Sequence, residues 1–135
     1  MNKQERIQRL YNQLLESSEV PITEEVILSK GLCLSENGKY RIYIKESLRV
    51  QEKLKVLLHE YSHCVHLTHY YRKESRAECE IIANGSAFAI AQEFGLNINK
   101  AVDLSKFTSD ADGINRLSAQ IQTVSSYILS GLKPF

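Results

Sequence analysis

The stretch from residue 50 to residue 69 constrains the chain most. Val50, Leu54, Leu57, Leu58, Tyr61 and Val65 recur every three or four positions, the spacing of a helix with one buried face. The same stretch contains His59-Glu60-Tyr61-Ser62-His63. Four residues advance a helix by about 400°, so the two imidazoles lie within about 40° of each other and can share one ion. They project away from the apolar stripe. Any fold for this chain must therefore bury one face of the helix and leave the other to line a cleft. Imidazole nitrogen suits Zn²⁺, and two such ligands leave positions for a carboxylate and a water.

A second long helix is expected over about residues 74 to 94, stopping at Gly95, a residue suited to the left-handed conformation that ends helices. Ala77, Glu80, Ala83, Asn84, Ala87, Ala91 and Phe94 fall on one face of it. A carboxylate within such a stripe is expected to be buried, which is costly unless a positive charge compensates it. An ion held by His59 and His63 would do so, making Glu80 the third ligand; pairing with Arg76 is the alternative. Glu78 is rotated by about 200° from Glu80 and faces the other way. Asn84, one turn further on, either orients a ligand histidine or satisfies local backbone.

The rest of the chain frames these helices. A first helix is expected to run to about Glu16. Strands at residues 26 to 35 and 40 to 45 flank Asn37-Gly38, which supplies the positive φ angles of a tight hairpin. Alternation places Tyr40, Ile42 and Ile44 on one face of the second strand. A last helix is expected from near Ser109, with Asp112 at its start and Ile114, Leu117, Ile121, Val124 and Ile128 as its stripe. The expected class is α+β: mainly helical, with a small β-hairpin or sheet preceding the His-Glu-x-x-His helix. At 135 residues the length suits one domain spanning residues 1–135.

A net charge of +1 provides no basic field for nucleic acid, and no apolar run approaches the ~20 residues of a membrane span. Residues 1 to 15 lack the apolar core of a signal peptide. Cys33, Cys64 and Cys79 cannot all pair within the chain and show no Cys-x-x-Cys spacing, which suits reduced thiols in the cytoplasm acting as small buried hydrophobes.

Four segments together carry a family likeness: His59-Glu60-Tyr61-Ser62-His63, Glu80-Ile81-Ile82-Ala83-Asn84, Ala87-Phe88 and Phe94-Gly95. Over about residues 40 to 98 the chain resembles the gluzincin-like metallopeptidases of the ImmA/IrrE type and the related peptidase domains of ArdC-like antirestriction proteins. The resemblance implies a minimal zincin-like domain, zinc held by His59, His63 and Glu80, and Glu60 as general base. Such proteins are often encoded on mobile elements, and some cleave transcriptional repressors, so the implied partner is a protein or peptide substrate. Many ImmA-like proteins carry a Leu-Met-Pro segment after the second helix, and ArdC-like ones an aromatic segment. This chain has Asp103-Leu104-Ser105-Lys106-Phe107 there instead.

Other readings compete. His69 follows His59 by ten residues, as in metzincins, but His66 occupies the position of the required glycine and the only methionine is Met1. His66 and His69 are instead expected at a solvated or cleft-edge helix end. Tyr70 and Tyr71 are candidates to stabilise an oxyanion, and an extended substrate could pair with the strand from Tyr40 to Ile44. The small size and the missing segment also suit a zinc-bearing interaction module that cleaves nothing.

Overall fold

Capping and pairing signals in the sequence set most element boundaries. The structure is a computed structural model describing residues 1–135. Helix α1 (Lys3–Ser17) starts where the Asn2 side chain accepts from the Glu5 backbone N–H at 2.8 Å, and it buries Ile7, Leu10, Tyr11 and Leu14. Three strands follow, β1 (Ile22–Glu25), β2 (Gly31–Glu36) and β3 (Lys39–Lys45), in the spatial order β1-β3-β2. β2 and β3 form the expected antiparallel hairpin, with φ of 53° at Asn37 and 76° at Gly38 in the two-residue turn. Ile42 and Ile44 are fully buried while Arg41 is exposed, as the alternation requires.

Two features of the sheet depart from expectation. Residues 26 to 30 are not strand: Val26 and Leu28 are 84% and 101% exposed, and pairing begins only at Gly31. The absence of a side chain at Gly31 lets the backbone of β2 approach the next helix, since a Cβ there would stand 2.2 Å from Val56 Cγ1. β1 was not anticipated. It pairs in parallel with β3 and is anchored by Glu24, whose carboxylate accepts from the Tyr11 hydroxyl at 2.8 Å and from Lys53 Nζ at 2.5 Å.

Helix α2 (Val50–Val65) ends earlier than its periodicity suggests, because the backbone widens into a π-helical turn over His66–Tyr70. That turn carries the two histidines expected to be solvated to different places. His66 is fully buried, its Nε2 lying 3.4 Å from Glu74 Oε1. His69 remains about one-third exposed and places its Nε2 2.7 Å from Glu19 Oε1 and 3.1 Å from the Tyr127 hydroxyl.

Helix α3 (Arg76–Glu93) is capped by Ser75, which accepts from the Glu78 N–H while the Glu78 carboxylate accepts from the Ser75 N–H. It ends in a Schellman motif: Gly95 has φ of 69°, its N–H donates to Gln92 O, and the Leu96 N–H donates to Ala91 O. Helix α4 (Ala111–Ser130) is capped by Asp110, one residue beyond the expected start. The core joins apolar side chains of all four helices with Ile42 and Ile44 of β3. The architecture is α+β and mostly helical, and no helix is long and apolar enough to cross a membrane.

Candidate metal centre

α2 and α3 pack antiparallel, so ascending positions on one meet descending positions on the other. His59 lies against Asn84, and His63 lies one turn along against Glu80. The Nε2 atoms of both histidines converge on one carboxylate: His63 Nε2 is 2.8 Å from Glu80 Oε1, and His59 Nε2 is 3.2 Å from Glu80 Oε2. The two rings stand nearly perpendicular, with centroids 4.7 Å apart. One donor atom from each of the three residues fits within a 4.8 Å span, so His59, His63 and Glu80 form a group able to hold a metal ion. Bonds of about 2.0–2.1 Å in tetrahedral array place ligand atoms roughly 3.3 Å apart; the two histidine–carboxylate distances lie near that value, and the widest separation in the group, 4.8 Å, would close by side-chain rotation around an ion.

The electrostatics suit a metal. Burial and the neighbouring His59 push His63 below its ordinary pKa, although Glu80 opposes the shift. The neutral imidazole that a metal requires is therefore favoured. The Asn84 side-chain oxygen lies 2.8 Å from His59 Nδ1. If Nδ1 carries the proton and donates to it, Nε2 presents its lone pair toward the position shared with His63 and Glu80. Glu60 follows His59 on α2. Burial drives its carboxyl above the usual range and nearby Glu80 adds to this, while His59 opposes it.

Glu80 corrects one expectation. Its side chain is 51% exposed, so no buried carboxylate demands compensation. α3 presents Ala83, Ala87 and Ala91 to the core, but Ala77, Glu80 and Asn84 emerge on the rim. Arg76 does not pair with Glu80, whose partners are the two histidines. Glu78 lies away from them, held by the helix cap and by an ion pair with Arg116.

A groove of about 380 Å³ runs past the site, lined by Glu60, His63 and Glu80 together with Cys33, Arg76 and Cys79. Nothing in the sequence assigns Cys33 or Cys79 to the site, and only the packing of β2 and α3 against α2 brings them there, whereas Arg76 reaches the groove without pairing with Glu80. His69 is committed to Glu19 and Tyr127, so it does not supply the third ligand a metzincin would need. Tyr71 donates its hydroxyl to Glu74 O and Tyr70 packs against the rings of His69 and Tyr127; neither lines the groove. Comparisons with models of protein families, with curated proteins and with solved structures find no match.

Proposed function

We propose that the chain is a zinc-dependent peptidase of zincin type that hydrolyses a peptide bond in a protein target. The observation that carries this reading is the convergence of His59 Nε2, His63 Nε2 and the Glu80 carboxylate at the edge of a groove that His63 and Glu80 line together with a second carboxylate, Glu60. Two imidazoles and one carboxylate match the ligand set of open zinc sites, which keep one position for water or substrate. A zinc ion held there supplies Lewis acidity, polarising the scissile carbonyl and acidifying a water molecule. Glu60 accepts the proton of the attacking water and delivers it to the leaving amine. Asn84 acts as a positioning residue by fixing the His59 ring.

The strand from Tyr40 to Ile44 offers no free edge for a substrate strand, because β3 is the middle strand, paired with β2 from Lys39 to Ile44 and with β1 from Ile42 to Lys45. The free edge nearer the groove belongs to β2, which supplies Cys33 to the lining. An extended peptide would pair there. The resemblance to ImmA/IrrE-type peptidases supports the same reading and points to repressors among the targets.

The test combines metal content with cleavage of a proteome-derived peptide library. The purified protein should bind about one zinc per chain, and His59→Ala or His63→Ala should abolish binding. Glu60→Gln should keep the zinc and lower cleavage by about 10²- to 10⁴-fold. Equal cleavage by Glu60→Gln and the parent would refute the mechanism. Zinc binding with no cleavage by either would leave the metal-bearing interaction module as the answer.

A further inference from the structure

We propose that Cys33 and Cys64 form a reversible redox site that closes to a disulfide on meeting a low-molecular-weight disulfide of the glutathione class. Cys33 lies on β2 and Cys64 on α2, and their sulfurs are 2.8 Å apart. A disulfide bond is about 2.05 Å long, so closure asks less than ~1 Å of sulfur movement. The seat is built by the backbone. Gly31, two residues before Cys33 on the same face of β2, rests so close to α2 that no side chain fits there.

Access divides the labour. Cys64 is 1% exposed, whereas Cys33 is half-buried and lines the groove beside Glu60 and His63. A small disulfide therefore reaches Cys33 and not Cys64. The Cys33 thiolate attacks one sulfur of the small disulfide, forming a mixed disulfide and releasing one small thiol. The Cys64 sulfur then attacks Cys33 Sγ, breaking its bond to the second small thiol and forming the Cys33–Cys64 bond. The protein thiols lose two electrons, the small disulfide is reduced to two thiols, and the two cysteine protons end on them. Cys79 reaches the groove from α3 and stays a thiol. This site goes beyond the peptidase reading and does not depend on it.

The test equilibrates the full-length chain, treated with a chelator, in glutathione buffers of rising disulfide fraction. The reaction is quenched with acid, and free thiols are alkylated after denaturation. Alkylatable thiols should fall from three to one, with a proteolytic product joining the peptides of Cys33 and Cys64 and no retained glutathione. Cys64→Ser should trap glutathione on Cys33, and Cys33→Ser should leave Cys64 unmodified while the chain is folded. Tm of the oxidised parent should rise on the order of 10 °C, because closing a loop of roughly 30 residues restricts the unfolded chain. Retention of all three thiols would overturn the proposal. So would a linkage through Cys79, a linkage between two chains, or glutathione left on Cys33 of the parent.

Discussion

Two glutamates separated by one residue on α3 have different roles. Glu78 closes the helix cap with Ser75 and pairs with Arg116, which holds its carboxyl below the usual carboxylate range. Glu80 meets both histidines. Glu78→Gln should therefore leave metal affinity unchanged, with a stability loss of about 1 kcal/mol or less, the scale of a cap and a surface ion pair. Asn84→Ala should weaken metal binding by about 10- to 100-fold by releasing the His59 ring, and Glu80→Gln should weaken it further. Titration against a chelating dye measures both, and equal affinities for Glu78→Gln and Glu80→Gln would refute the assignment. The direction of each side chain was legible in the sequence, because two helical residues always subtend about 200°. Depth was not. Periodicity assigns Glu80 to the same face as Ala83 and Ala87 without revealing that this face leaves the core between positions 83 and 80.

Among the elements, the helices were legible and the sheet only in part. The helices announce themselves through local spacing and caps, and the β2–β3 turn through Asn37-Gly38. β1 has four residues, Ile-Thr-Glu-Glu, and its parallel partner lies some twenty residues on, so no local pattern marks it. Val26 and Leu28 misled for the converse reason, since strand-forming residues pair only where a neighbouring strand is within reach. The π-helical turn also escaped the sequence, and with it the inward course of His66. Close helix contact is testable at Gly85, where a Cβ would stand 2.5 Å from Ile121 Cδ1 and 2.9 Å from Ile121 Cγ1 on α4. Alanine gains up to ~1 kcal/mol of helix propensity, but overpacking of this kind costs about 1–3 kcal/mol. Gly85→Ala should therefore destabilise the chain by up to about 2 kcal/mol in urea unfolding. In an Ile121→Ala background the same change should be neutral or stabilising. An equal loss in both backgrounds would mean that the α3–α4 contact is not what excludes the side chain.

At the scale of the whole molecule, three carboxylates with lowered pKa join separate parts of the fold. Glu24 links β1 to α1 and α2 through Tyr11 and Lys53, and Glu78 links α3 to α4 through Arg116. Glu74 sits between the π-helical turn, the start of α3 and α4. It accepts from the Arg72 N–H at 2.7 Å and from the Gln120 side chain, which also donates to Tyr70 O. His66 lies 3.4 Å away, Cys79 donates to the Glu74 carbonyl, and the Arg116 charge acts on the same region. Burial alone would raise the pKa of Glu74, but the backbone N–H groups of Arg72 and Glu74 and the side chains of His66 and Gln120 hold it below the usual carboxylate range. A lowered folded pKa means that the unfolded chain binds the proton more readily. The stabilisation is thus fully present above the unfolded value of about 4.3 and is lost as pH falls through the lower folded value. Glu74→Gln should cost about 1–3 kcal/mol near neutrality by weakening a buried hydrogen-bonded charge. It should also flatten the acid limb of stability against pH, leaving the contributions of Glu24 and Glu78. Urea unfolding of the chelator-treated protein between roughly pH 3 and pH 7 makes the comparison free of metal release, which has its own pH dependence. Parallel acid limbs in the parent and Glu74→Gln would show that Glu74 does not couple this junction to protonation.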